Sequence, residues 1–451
     1  MVRSSRDGRQ ELAPLPPDPA AALEPYDPAR GHGPWDSRTA GHLLRRALGG
    51  GRSGQVRRLA AMPAQEAVAH VFGPRDGKRE EQWQSMGAAL RSGGRGELAG
   101  WWLMKLAQEE RAPGTRLTLF WHDHFACAHS KVLDLALLLQ QHQSFVELGE
   151  GPFAALLLAM ARDPALLRFL DGDGNRRGIP NENLAREIFE LFSLGVGHYS
   201  ETDIREAARA LTGRSVRQGL YVFVPEHHDP ERKTVLGGEA RDGDDVCRLA
   251  VAQPACPRFL ARKLWRFYLS PEPPEEVLEL LVERWREHDL ETAWLVRTML
   301  SSRACFSAEA YRSLVKSPVD YVIGITRTLD SKPNFQRLAE SCERMGQSLF
   351  EPPGVQGWKE GEAWIHAAAW IERANFAAAV AEGRDKLTRD ADPATRLDGN
   401  SAPELLDPLI GLFLDGELSG ERREVLIHSL STAPANAATQ AVLCLPEYHL
   451  A

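Results

Sequence analysis

The stretch that most constrains how this chain can fold runs from Ile179 to Gly213, IPNENLAREIFELFSLGVGHYSETDIREAARALTG. Leu184, Ile188 and Leu191 recur at helical spacing, and a second helical run follows a glycine-containing break, so the segment predicts a helical hairpin resting on a core. Asn181, Glu182, Asn183, Arg186, Glu187, Glu190, Asp203, Arg205, Glu206 and Arg209 all fall within it. Burying such groups is costly unless they satisfy one another or a ligand. The hairpin therefore predicts one of two things: an ionic network or a site.

Composition narrows the partners. With 54 Lys and Arg against 62 Asp and Glu the net charge is −8, which excludes the bulk basic character that drives nucleic-acid binding. The six cysteines, Cys127, Cys247, Cys256, Cys305, Cys342 and Cys444, form no CxxC pair and match no zinc module, so they read as reduced, buried small hydrophobes. The first forty residues lack an apolar signal region, and runs such as Phe153–Met160 are far too short for a membrane span. A cytoplasmic protein is the expectation from these features.

Helical periodicity dominates from His42 onward, and the one strand-like interruption is Leu220–Val224, expected to pair with Lys233–Leu236 across HHDPER. The predicted fold is mainly α, a large multi-helix globular bundle with one short β-hairpin-like insertion. Residues 1–37, which include PLPPDP, read as a disordered or extended arm, and 38–384 as the main helical domain. A polar linker is expected at 385–402 and a C-terminal helical unit, packed on the main domain, at 403–451. Thr115–Phe145 reads as two long helices carrying WHDHFACAHSKV.

With these segments in place, the chain resembles the bacterial domain of unknown function family 1800. The matching blocks are HLLRRALG from His42, TLFWHDHF from Thr118, Lys131–Val132, Asp163–Pro164, Pro180–Gly197, Asp203–Gly213, His228–Asp229 and KTVLG from Lys233. They continue with Lys263–Phe267, Lys316–Pro318, GQSLFEPPGVQGW from Gly346 and the terminal PEYHL. The resemblance implies a large helical protein, often exported, often with a sulfatase-like companion protein encoded nearby, and no established reaction. Three features depart from the family pattern: no export signal, Leu184 where an aromatic is usual, and Arg214 after LTG where Trp is usual.

Several constellations carry possible chemistry. Residues two apart on a helix differ by about 200°, so His122 and His124 cannot share a face, and a metal would take only one of them. Asn183, Glu187 and Glu190 share a helix face, and Asp203 and Glu206 share a face of the next helix. Carboxylates from two helices with a histidine from a third make a helical-bundle metal site, so His124, Glu187, Glu190 and Asp203 are candidate ligands. His228 and Asp229, with Lys233 close behind, add ligand or acid–base candidates. The rival use of the hairpin is an ionic network of Arg186, Arg205 and Arg209 with Glu187, Glu190 and Glu206; Asp203, three residues after Ser200, also has capping-box spacing.

Asp171, Asp173, Asn175 and Glu182 occupy positions 1, 3, 5 and 12 of a calcium-loop pattern, with Arg176 where glycine belongs. The bland alternative is a polar turn in which Asn181 caps the next helix. The Pro- and Gly-shaped loop ending at Trp358 reads as a rigid cover, with Trp358 and Trp364 walling a pocket suited to a small molecule or a polysaccharide. Trp121, Asn183 and Arg186 are the other expected pocket residues.

Two functions remain open at this point. One is a divalent-metal-dependent hydrolase, in which Glu187, Glu190 and His124, with help from Asp203 or His228, hold the ion while a carboxylate or Lys233 moves protons. The other is a non-catalytic helical scaffold in which the same residues brace the fold.

Overall fold

Helices in this chain start where a short polar side chain accepts a first-turn N–H. Asp36 accepts from the amides of Arg38 and Thr39, Asp134 from Ala136 and Leu137, Asp163 from Leu166, and Ser317 from Asp320. Such caps satisfy donors that an isolated helix end leaves open. The computed structural model describes residues 11–74, 76–110, 114–383, 397 and 401–451.

The described residues are mainly helical, and their strands form two separate two-stranded antiparallel ladders. Strand β1 (Arg214–Arg217) pairs with β2 (Leu220–Phe223), and β3 (Lys233–Val235) with β4 (Gly238–Ala240). This corrects the expected pairing of Leu220–Val224 with Lys233–Leu236. The reason lies in the two-residue turns: Gln218 and Gly219 have φ of 50° and 77°, and Leu236 and Gly237 have 51° and 78°. Positive φ at both central residues matches the right-handed twist of a hairpin, so each strand closes on its nearest neighbour. The WHDHF region is likewise shorter than expected. Its helix, Gly114–His124, ends at the second histidine, a single turn follows at His129–Val132, and Asp134 then starts Leu135–Leu148.

A continuous apolar core runs through the main body, with Trp102, Trp121, Trp265 and Trp285 among its largest fully buried side chains. Two antiparallel helices cross it and matter for everything below. Arg116 and Phe120 of Gly114–His124 meet Phe267 of Ala255–Tyr268, and His124 meets Lys263 and Phe259 of that same helix.

The described part of the N-terminal arm, residues 11–37, drapes over this body. Tyr26 N donates to Ser301 O, and the amides of Arg303 and Ala304 donate back to Glu24 and Ala22. Most of the expected linker lies outside the described residues. The C-terminal unit, with helices Ala402–Leu414, Gly420–Ser429 and Ala437–Leu443, packs against Ala367–Ala381. Charge ties the unit to the Ser37–Leu48 helix and to the segment at Tyr311 and Arg312. Asp415 receives Arg45 and Arg312 at 2.8 Å each and the Tyr311 hydroxyl at 2.9 Å. Burial alone would raise the Asp415 carboxyl, but the two guanidinium groups outweigh it and hold it at about 2.

Removing one partner of a buried ion pair strands the other, at about 3–5 kcal/mol. Asp415→Asn, which keeps the left-handed backbone conformation accessible, should therefore lower stability by about 3 kcal/mol, read as the midpoint of urea unfolding. An unchanged midpoint would mean that the C-terminal unit does not depend on this pair.

Candidate functional site

The polar hairpin satisfies itself. Arg186 forks onto Glu201 with both bonds at 2.9 Å and reaches Glu182 at 3.3 Å. Arg209 gathers Glu206, Asp229 at 2.8 Å and Glu231 at 3.2 Å, while Arg205 reaches only Thr202. Asp203 closes a capping box with Ser200, and its second oxygen accepts from Leu236 N at 2.7 Å. Ile188–Ser193 winds as a π-helix, so the helix carrying the two glutamates changes pitch between them. Glu190 accepts the Tyr199 hydroxyl at 2.8 Å, and Glu187 has no hydrogen-bond partner among the described residues. Burial and the neighbouring Glu190 raise the Glu187 carboxyl above its ordinary value. Neither Arg186 nor Arg209 forks onto Glu187 or Glu190.

The loop residues are likewise engaged. His228 faces Thr212 O through Nδ1 at 2.9 Å and Arg241 O through Nε2 at 3.2 Å. Lys233 is buried and donates to the carbonyls of Asp229 and Arg241, which leaves it no route to a reacting atom. In the calcium-loop pattern Asp171 pairs with Lys131 at 2.8 Å, and Asn175 is buried between Ala208 O and Asn181 N. Asn181 in turn caps Asn183 N, the polar-turn alternative. Glu182 turns to Arg186 rather than toward Asp171 and Asp173. The candidate metal donors His124, Glu187, Glu190, Asp203, His228 and Asp229 are thus distributed over separate hydrogen-bonding groups. Among the described residues no three His, Cys, Asp or Glu side chains converge as a metal site.

What the structure does assemble is a cavity of about 630 Å³. Arg116, Leu119 and Asp123 line it from one face of Gly114–His124, at positions i, i+3 and i+7. Arg266 and Phe267 line it from Ala255–Tyr268, Ser317 and Asp320 from Pro318–Thr328, and Arg46 from Ser37–Leu48. Trp358, Glu360 and Trp364 complete the wall, so the expected cover loop and its two tryptophans do enclose a pocket. Of the other expected pocket residues, Trp121 is buried in the core with its indole N–H on Gly149 O, and Asn183 and Arg186 lie on the hairpin. The cavity draws on blocks from both ends of the chain, including HLLRRALG, TLFWHDHF, Lys263–Phe267 and the GVQGW loop.

Its chemistry centres on Asp123, a residue passed over in favour of the two histidines that flank it. One carboxylate oxygen accepts Trp358 N at 2.7 Å. This contact requires Gly357, where φ is +75° and a Cβ would lie 2.6 Å from Asp123 O. Burial raises the Asp123 carboxyl to about 7; the Trp358 N–H opposes it, Glu360 pushes the same way as burial, and Lys263 also opposes. Lys263 is half-buried and donates to His124 Nδ1 at 3.1 Å, and burial lowers its ammonium below the ordinary value. His124 Nε2 lies 3.0 Å from Phe192 O, which fixes the neutral tautomer that accepts from Lys263. His124 is therefore spent on positioning Lys263 within an aromatic cage of Phe120, Trp121, Phe125 and Phe192. His122 packs apart from it, against Trp102, Phe350 and Trp358, and accepts Phe350 N at 3.1 Å.

Two pH-dependent outcomes follow. A carboxyl moved from 3.8 up to about 7 keeps a proton in the folded state that the unfolded chain has lost, so stability falls as pH rises through that window. Asp123→Asn should match wild type in urea midpoint at about pH 4 and exceed it at about pH 8, where the wild type holds a buried charge. Parallel midpoints at both values would contradict this titration. Glu187→Gln, which removes an unpartnered carboxylate beside Glu190, should leave stability at pH 7 unchanged or raise it. A loss of more than about 1 kcal/mol would instead show an ionic role for that side chain.

No described helix is long and apolar enough to cross a membrane. No curated protein and no solved structure matches the chain. The family described as protein of unknown function (DUF1800) matches residues 42–450, nearly the whole length, and the chain belongs to that family.

Proposed function

We propose that the protein is a hydrolytic enzyme that performs acid–base chemistry in the cavity, with Asp123 as the proton-transferring group and Lys263 as the electrostatic partner. The observation that supports this is the placement of Asp123 in the lining of one aromatic-walled cavity, with Lys263, held by His124, near enough to act on its charge. Asp123 keeps one oxygen on Trp358 N and leaves the other for a substrate proton or a water. A carboxyl titrating near 7 can serve as acid or base at neutral pH, a role worth about 10²–10⁴ in rate. Lys263, oriented by His124, stabilises negative charge as it develops, and its half-buried setting strengthens that interaction. Glu360 is a second carboxylate in the same lining but on its exposed side. Even there burial raises the Glu360 carboxyl too, so both carboxylates of the lining hold a proton more tightly than in water. Phe267, Trp358 and Trp364 offer flat faces on which a sugar ring or another planar group can stack.

This reading relocates the hydrolase expected from the hairpin carboxylates and runs on protein groups alone. The ion pairs of Arg186 and Arg209 then support the scaffold reading for the hairpin only.

The test combines turnover with side-chain reactivity. A panel of chromogenic glycosides, carboxylic esters and phosphate esters should reveal a hydrolysis whose rate falls about 100-fold or more in Asp123→Asn and in Lys263→Met, with a pH limb near 7. In parallel, amine acylation at about pH 8 followed by peptide mapping should label Lys263 ahead of exposed lysines such as Lys359. Turnover that survives both variants, or that a chelator abolishes while Asp123→Asn does not, overturns the proposal. So does a Lys263 no more reactive than Lys359.

A further inference from the structure

We propose that the wall of the cavity around Arg46 is an oxyanion site, where the ligand places a carboxylate, phosphate or sulfate group. The inference deepens the functional reading by naming a chemical class of ligand. It rests on that reading only in taking the cavity as the site.

Other buried arginines give most of their donors to the chain itself, although some, Arg116 and Arg373 among them, keep an unpartnered Nε. Arg327 gives its donors to Gly50 O, the carbonyls of Leu106, Ala107 and Glu109, and Gln55 Oε1. Arg312 is divided between Asp415 and Glu447 O. Arg46 differs. It is 1% exposed, its Nη2 donates to Ala310 O and Ser313 Oγ, and its Nε and Nη1 have no partner. It has no carboxylate partner among the described residues, and it lines the cavity. Leaving a buried charged donor unpaired costs more than the roughly 1–3 kcal/mol of a neutral one, so an acceptor from outside the fold is expected there.

The surroundings select the kind of acceptor. Arg116 is the second guanidinium on this wall. Both its terminal nitrogens pair with Asp320, and its Nε is also unpartnered. With Asp320 set against Arg116, Arg46 remains as an uncompensated positive charge. The Pro318–Thr328 helix adds to it, because its N-terminal end, capped by Ser317, opens on the same cavity. The first-turn amides of Val319 and Asp320 are taken by Gln347 Oε1 and Ser317 Oγ, but the positive end of the helix dipole remains. Gln347, its oxygen so occupied, retains its amide NH₂ as a further donor toward the cavity it lines. Arg46, the helix end and the Gln347 amide favour negative charge with several acceptor oxygens, which an oxyanion supplies and a hydroxyl does not.

The helix also sets a length. Arg116 and Asp123 lie seven residues apart on one face, so the anion wall and the acid–base pair are separated by about 10 Å along the helix axis. The ligand is therefore one whose anionic group sits that far from the bond that reacts.

The experiment is titration calorimetry of the full chain with inorganic phosphate, sulfate and acetate at matched ionic strength, with chloride as the control. Saturable one-to-one binding is expected for at least one of the three, weakened at least about tenfold in Arg46→Met. Stronger binding of phosphate or sulfate than acetate assigns a tetrahedral group, and the reverse order a carboxylate. Arg266→Glu, which reverses a half-exposed charge on the cavity wall without touching the core, should weaken the same binding even if Arg46→Met fails to fold. Asp123→Asn should retain it, so the anion site and the acid–base reading fail separately. Absence of saturable binding, or an affinity unchanged in both arginine variants, overturns the proposal and leaves Arg46 a hydrated structural cation.

Discussion

The hydrogen bond from Trp358 N to Asp123 holds the candidate site together. It joins the end of a buried helix to a loop more than two hundred residues later in the chain, and so it roofs the cavity. Burial beneath that loop raises the proton affinity of the Asp123 carboxyl, and the Trp358 N–H works against the rise by favouring the ionised form. Gly357 makes the contact possible, because only a residue without a side chain fits between the loop and the helix at that φ. Roof and pocket therefore share one backbone contact.

Around that contact the protein uses its buried charges in two ways. Most close the structure: Arg209 knits a helix to the hairpin loop, Arg327 gathers carbonyls, and Asp415 clamps the C-terminal unit to Arg45 and Arg312. Their charges are paired or hydrogen-bonded within the fold, so they brace rather than react. A smaller set at or near the cavity is left incomplete. Arg46 keeps two donors unspent, Asp123 keeps one oxygen, and Lys263 is held by a histidine instead of a carboxylate.

The hairpin from Ile179 to Gly213 shows why the sequence pointed elsewhere. Its density of Asn, Asp, Glu and Arg reads equally well as a ligand set or as an ionic network, because spacing reports which side chains share a face and not which atoms they meet. The structure shows local pairing: Arg186 takes Glu201, Arg209 takes Glu206, and Asp203 takes its own cap. The helical hairpin itself and the predominance of helix were legible. The strand pairing was not, since a pair of positive-φ residues decides it and neither Gln218 nor Leu236 advertises that conformation. At the cavity, Trp358 and Trp364 were legible as pocket walls because a Pro- and Gly-shaped loop carries them. Asp123 carried a faint signal, sharing a helix face with Arg116 and Leu119, but the histidines on either side obscured it.

By itself the sequence determined the fold class, the absence of bulk basic charge, the family blocks and the aromatic cover loop. These follow from periodicity, composition and turn chemistry, which act over a few residues at a time. Only the tertiary structure decided which polar groups are spent and which are free. Asp123, Lys263, Arg46 and Trp358 are scattered over more than three hundred positions, and the proton affinity or charge of each depends on how deeply its neighbours bury it. Burial and partner choice are properties of packing between distant segments, so no local pattern encodes them.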